Sequence, residues 1–371
     1  MHIIIIGAGI LGASTAYHLA RAGVDVTMID RNDAGQATDA GAGIVCPWLS
    51  QRRNQAWYQL AKAGARFYPE LIEGLEREGE SETGYAKVGV ISVHSDGKKL
   101  DQMEKRARQR REDAPEIGEI TRLSPQETQK QFPLLADGYA SLHVSGGARV
   151  NGKALRLALI KTAIKYGAVF KQGDAELICS EGQVNGVKVE GEFLQADQVV
   201  VTAGAWAKEL FEPLGVEFLI KPQKAQILHL QLADYNNCDE WPVVMSPTSK
   251  YLLGFEEGRM VIGSTHENDT GFDTTVTAAG LHEILGMAFE LAPRLATSAV
   301  LETRVGFRPV SPDFLPVIGE IPGFKGLTAA NGLGSSGLTV GPYLGAELAK
   351  LIQGLKTEID LSSYDIKGAI K

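Results

Sequence analysis

Gly7, Gly9 and Gly12 stand in the run Gly7-Ala8-Gly9-Ile10-Leu11-Gly12, and Asp30 follows 18 residues after the last of them. Residues of these types at this spacing can hold a dinucleotide. Gly7 makes a tight turn, Gly9 lets the backbone approach a pyrophosphate, and Gly12 lets a helix pack closely on a strand. The helix that follows presents free N–H groups and a positive dipole end to phosphate. Asp30 is placed to accept hydrogen bonds from a ribose diol. A second glycine-rich run, Asn331-Gly332-Leu333-Gly334-Ser335-Ser336-Gly337, lies far along the chain before another helical pattern, and offers a second dipole end. Two anion-friendly turns suit a ligand with two demanding ends. FAD is one: it carries a pyrophosphate and an isoalloxazine whose N1/C2=O edge becomes anionic on reduction.

The surrounding elements must position these turns. His2-Ile3-Ile4-Ile5-Ile6 is an unbroken β-branched run, the pattern of a strand buried on both faces of a parallel sheet. A helix is expected over Ala13–Ala22, closed by Gly23, and a second strand over Val24–Ile29 with Asp30 at its end. An isolated GxGxxG is weak, but strand, glycines, helix, strand and acid in register are specific; the competing reading is a glycine-rich turn in an ordinary α/β domain. The chain then enters a small-residue loop, Asp33 to Val45, able to lie flat against a planar ligand. Helices are expected near 54–78, 98–111, 152–166, 277–291 and 338–352. Ala168–Phe170, Leu177–Cys179, Val184–Val189 and Phe193–Ala196 suggest a small antiparallel meander. The apolar run Gln198–Thr202 ends in Ala203-Gly204-Ala205-Trp206, and the carboxyl end of such a strand is where open α/β sheets bind ligands. Between about 215 and 310 the pattern turns to antiparallel β.

Composition narrows the classes. The 371 residues include 42 glycines, against about 26 at average usage, without collagen periodicity. The net charge of −8 gives no field to attract nucleic acid. Lys98–Arg111 holds seven basic residues, but acids interrupt them and Leu100, Met103 and Ala107 form only a thin stripe, so a solvated surface helix is expected. No two histidines stand at metal-ligand spacing, and no metal is expected. Cys46, Cys179 and Cys238 are scattered, which suits a reducing cytoplasm. Met1–Ala20 has no charged side chain, but it lacks a basic leader and carries three glycines, so it reads as buried core rather than a signal peptide or membrane span.

Taken together, Gly7–Gly12, Thr38-Asp39-Ala40-Gly41-Ala42-Gly43, Ala203–Trp206, Gly306-Phe307-Arg308-Pro309 and Gly332–Gly337 resemble the FAD-dependent D-amino acid oxidase (DAO) superfamily, in its glycine oxidase and D-amino acid dehydrogenase branch. The resemblance implies a mixed α/β (α+β) fold of glutathione reductase type 2: a Rossmann-like FAD-binding domain from 1–45, 146–215 and 314–371, and a largely antiparallel substrate-binding domain from 46–145 and 216–313. It places Gly7, Gly9, Ile10, Leu11 and Gly12 at the pyrophosphate, Asp30 and Arg31 at the adenosine ribose, and Glu176 at the adenine. Ala37, Thr38, Ala42, Gly43, Ile44, Ala203, Gly204 and Trp206 would line the flavin side. Leu333, Gly334, Ser335, Ser336, Gly337, Leu338 and Thr339 would hold its pyrimidine edge. Arg308 would bind the substrate carboxylate, helped by Tyr251 and Ser335. An arginine fork suits a planar carboxylate, although an arginine paired with an internal acid is the competing reading.

Two departures stand out. Leu333 and Ser335 occupy positions where glycine oxidases carry a histidine and an arginine. Val261 stands where the sarcosine oxidase branch has a lysine for oxygen activation, and no cysteine stands near Arg308 in the sequence. The implied cofactor is noncovalent FAD, and the implied reaction is oxidative deamination of glycine, sarcosine or a D-amino acid by hydride transfer to flavin N5. The electron acceptor is oxygen or another oxidant, and a homo-oligomer is compatible. An NAD(P)-dependent dehydrogenase and a non-catalytic electron-relay flavoprotein are the alternatives.

Overall fold

The computed structural model describes residues 1–248 and 250–371. Ile3, Ile4 and Ile5 are fully buried, so strand His2–Ile6 meets apolar side chains on both faces and takes the middle of a six-stranded sheet. Asp25–Asp30 and Gln198–Val201 flank it in parallel. Val169–Gln172 extends one side in parallel, Leu327–Asn331 the other, and Val317–Glu320 closes that side antiparallel. The meander is a separate sheet of Ala175–Ser180, Gln183–Val189 and Glu192–Gln195. Val169–Phe170, grouped with the meander on sequence, belongs instead to the edge of the parallel sheet. Both side chains are exposed there, so no burial pattern distinguishes the two assignments.

Two helices stack on this sheet, Ile10–Arg21 and Gly337–Ile352. A Cβ on Gly341 would lie 2.9 Å from Ile10, and one on Gly345 would lie 2.6 Å from Ser14. Ser14 Oγ also donates to the Pro342 carbonyl at 2.6 Å. The paired positions ascend together, 10 with 341 and 14 with 345. The helices therefore run parallel, and both N-termini open on the same side. Helix Gln55–Arg77 begins at Asn54, whose Oδ1 accepts from Trp57 N at 2.9 Å, and backs onto the second helix with Gly64 against the Thr339 carbonyl.

The second layer is an eight-stranded sheet in the order Ala299–Val310, Lys221–Gln231, Arg259–Gly263, Tyr251–Phe255, Val243–Met245, Val90–His94, Ala140–Val144, Ile120–Leu123. All neighbours are antiparallel except Val243–Met245 against Val90–His94. The basic helix, Gly97–Arg111, buries only Leu100, Met103 and Ala107, as its stripe predicts. Among the described residues no helix is long and apolar enough to cross a membrane.

Candidate active site

A cavity of about 810 Å³ opens between the two layers. That volume is in the range of cofactor and small-molecule sites. Every residue expected from sequence to bind cofactor or substrate lines it except Gly12. Gly12 packs behind the turn: a Cβ there would lie 1.9 Å from the Gly7 carbonyl and 2.5 Å from Thr202 Oγ1. Its contribution is to seat helix on strand, not to touch a ligand. Gly9 differs, because a Cβ there would meet only Thr38 Oγ1 at 3.4 Å, leaving the cavity side open for a close approach.

The nucleotide end departs from expectation at two residues. Asp30 already accepts from Ala8 N at 2.6 Å, Asn32 N at 2.7 Å and Gln36 Nε2 at 3.0 Å. Its carboxylate holds the glycine turn in shape, and any ribose contact comes on top of that. Arg31 pairs with Asp33 at 2.9 Å, Glu209 at 3.1 Å and Asp174 at 3.4 Å, which makes it a local tie among acids. Gln36, not anticipated from sequence, lines the same end with a buried Oε1 that has no hydrogen-bond partner among the described residues. An orphaned acceptor beside Asp30 fits a ribose hydroxyl.

The helix N-termini supply the anion sites. Neither Ile10–Arg21 nor Gly337–Ile352 has a side-chain cap or an acid in its first turn. Thr38 Oγ1 accepts from Ile10 N at 3.0 Å, and Ile10, Leu11, Gly337 and Leu338 all face the cavity. Two positive dipole ends on one cavity match a pyrophosphate and a flavin edge that gains charge on reduction. Ser336 is fixed from the other side, because its Oγ accepts from Trp57 Nε1 at 2.9 Å. Ser335 is exposed and lines the cavity.

At the opposite end, strand Ala299–Val310 presents Arg308. Its guanidinium donates to Ser264 Oγ at 2.7 Å, the Thr265 carbonyl at 3.2 Å and Gln223 Oε1 at 3.4 Å. Among the described residues no carboxylate pairs with it. The internal ion pair that a structural arginine would need is absent. Burial pulls its pKa down, as expected for a cation short of a counter-ion. Tyr251, beside it, has its hydroxyl pKa raised by burial. His266 also lines this end and was missed on sequence, where nothing distinguished it from other loop histidines. Burial and the charges of Arg308 and Lys250 lower its pKa, so it presents a neutral imidazole at pH 7.

Two further sequence readings shift. Cys46 does line the cavity although it is remote in sequence from Arg308, and burial raises its thiol pKa to about 12. Val261 is buried within the eight-stranded sheet and is not among the residues that line the cavity. The charges are also segregated. All five lining carboxylates (Asp30, Asp33, Asp174, Glu176, Glu209) lie at the nucleotide end, and the Arg308 end has none.

A dinucleotide cradle joined to a cleft with an unpaired arginine defines a flavoprotein oxidoreductase. The chain belongs to the FAD dependent oxidoreductase (DAO) family, whose model matches residues 2–351. It is 61% identical to the uncharacterized oxidoreductase YurR of Bacillus subtilis over 99% of both chains. It is 31% identical to glycine oxidase of Pseudomonas aeruginosa, again over 99% of both. The crystal structure of iminodiacetate oxidase from Chelativorans sp. BNC1 matches with a TM-score of 0.95 and 44% identity over 98% of each chain. The cofactor is therefore FAD, and the NAD(P) alternative falls away.

Proposed function

We propose that the protein oxidises the Cα–N bond of a small amino acid, in the class of glycine, sarcosine or a D-amino acid. The observation that carries this reading is Arg308, a partly buried guanidinium that faces the cavity with no acid among the described residues to neutralise it. The names of the relatives, glycine oxidase and iminodiacetate oxidase, support the same chemistry. Arg308 holds the carboxylate through two parallel hydrogen bonds, and Tyr251 adds a neutral donor. His266 offers an uncharged acceptor to the substrate ammonium, whose proton must leave before the C–N bond can be oxidised. FAD, when bound in this cavity, would supply the acceptor for the hydride of the α-carbon. Water then hydrolyses the imine to a carbonyl compound and an amine. The protein contributes orientation and electrostatics, so no catalytic triad is required.

FAD is held without a covalent bond in this reading, because the buried Cys46 thiol stays protonated and Cys179 and Cys238 do not line the cavity. The FAD-binding part is formed from 1–45, 146–215 and 314–371 and the substrate part from 46–145 and 216–313. The three free cysteines suit a cytoplasmic setting. Anaerobic addition of an amino-acid panel to the yellow holoenzyme tests the function: at least one member should bleach the flavin absorbance. A panel that leaves the spectrum unchanged would favour the electron-relay alternative.

A further inference from the structure

The face of strand Ala299–Val310 that presents Arg308 also carries Arg304 and Gly306, since residues two apart along a strand share a face. That face meets Ala37–Ala40, a single helical turn of which Ala37, Thr38 and Ala40 line the cavity. A Cβ on Gly306 would lie 2.7 Å from Ala40 Cβ, and Arg304 Nη1 donates to the Asp39 carbonyl at 2.9 Å. The Asp39 carboxylate is gripped by Arg156 of helix Gly152–Lys165, whose Nε and Nη2 donate to its two oxygens at 3.0 Å each. Thr38 Oγ1 accepts from Ile10 N, at the helix end that faces the pyrophosphate in this reading. A lone turn with no side-chain cap is weakly determined by its own hydrogen bonds, so these outside ties set its position. Asp39 and Arg304 are not among the residues that line the cavity, so they act on a ligand there only through their neighbours.

One turn is thus tied on one side to the seat of the cofactor and on the other to the strand that bears Arg308. We propose that Arg304 is a positioning residue that couples the two ends of the cavity: through Asp39 it registers the Arg308 strand against the turn beneath the cofactor, so that FAD and a substrate carboxylate strengthen one another's binding. Arg304 and Arg308 are four residues apart, about 13 Å along the strand, so the coupling runs through backbone and not through contact between the two guanidinium groups. Arg304 Nη2 also donates to Glu302 at 2.6 Å, which fixes the side chain that reaches Asp39. A ligand that orders the turn from either end leaves less ordering for the other to supply, and such coupling is reciprocal. This deepens the reading above and rests on its assignment of Arg308 to the carboxylate.

The test uses the holoenzyme and methoxyacetate, a small carboxylate with no C–N bond to oxidise. Its binding is read from the perturbed flavin spectrum. The Kd of FAD is then measured by dilution, from flavin fluorescence, without methoxyacetate and with a saturating concentration of it. In the wild type methoxyacetate should tighten FAD by about fivefold or more, the lower end of measured couplings between sites. Arg304→Met should bring that ratio towards one while both ligands still bind, and Arg304→Lys should keep part of it. Arg122→Gln, which removes a surface ion pair with Asp101, should keep it whole. Thermal melts of each variant report folding. A merely structural arginine would weaken both ligands and leave the ratio unchanged, so an unchanged ratio in Arg304→Met would overturn the proposal. So would a wild-type ratio of one with methoxyacetate visibly bound. If methoxyacetate leaves the wild-type flavin spectrum untouched, the carboxylate role of Arg308 fails and the coupling falls with it. If the ratio depends on Arg304 as stated and no amine bleaches the flavin, the oxidase reading alone fails and the coupling stands.

Discussion

Arg308 is held by Ser264, Thr265 and Gln223, all neutral partners, so a bound carboxylate would be its first true counter-ion. Losing one partner of a buried charged pair costs about 2–5 kcal/mol. Arg308→Ala should therefore lower kcat/KM for amino acids by roughly 30- to several thousand-fold with flavin retained. Arg308→Lys should recover only part, since an ammonium cannot reproduce the fork. Comparing an amino acid with its decarboxylated amine decides the role, because only a carboxylate contact makes the mutation erase the preference for the acid. Arg308 was legible in the sequence through the local run Gly306–Pro309. His266, Gln36 and Trp57 were not, since each reaches the cavity through contacts with distant segments and has no distinctive neighbours in the chain.

Among the elements, the parallel pair Ile10–Arg21 and Gly337–Ile352 is the most sensitive. A methyl group on Gly345 would press on Ser14 at 2.6 Å and on the Leu11 carbonyl at 2.9 Å. Gly345→Ala should cost roughly 1–3 kcal/mol by overpacking and weaken flavin retention by tilting a helix N-terminus away from the cavity. Gly286 is the contrast, since it lies inside helix Ala278–Leu291 with nothing near a would-be Cβ. Gly286→Ala should stabilise by about 0.5–1 kcal/mol in a urea melt. The first helix also carries His18, packed against Phe67 of helix Gln55–Arg77, with its pKa lowered by burial to about 4 from 6.5. His229, buried in the eight-stranded sheet, is lowered to about 4 as well, first by burial and then by Arg304. Both accept a proton more readily when unfolded. Their contribution is complete above pH 6.5 and is lost as pH falls towards 4. Thermal melts across that window should show a falling Tm, and His18→Leu should flatten the slope. The existence of these helices was legible from apolar spacing, and Gly23 marks the end of the first, although that helix starts at Ile10 rather than at the expected Ala13. The sheet to which strand Val169–Gln172 belongs was not legible, because its exposed side chains carry no burial pattern.

For the whole molecule, FAD bound in this cavity would lie between the two layers. FAD bound only to the folded state should raise the Tm of apoprotein in proportion to the logarithm of its concentration, by about 2.7 kcal/mol of stability at a hundredfold excess over Kd. Acid precipitation should leave all flavin in the supernatant; yellow colour in the pellet would contradict noncovalent attachment. The division of strands between the two layers could be anticipated from the switch in apolar period, whereas the segregation of charge along the cavity could not, because it depends on which loops converge.

The parallel helix pair also has a consequence for how the protein is made. One member begins at Ile10 and the other at Gly337, and strand His2–Ile6 waits for Gln198–Val201 before one of its two edges is covered. During synthesis the isoleucine strand and the glycine turn emerge long before Gly337 and stay incomplete until it too has left the ribosome. Contacts this distant close slowly and leave apolar surface open to chaperones in the interval. Flavin capture must then be a late event, and translation products that stop before Gly337 should be colourless and short-lived whatever else they contain.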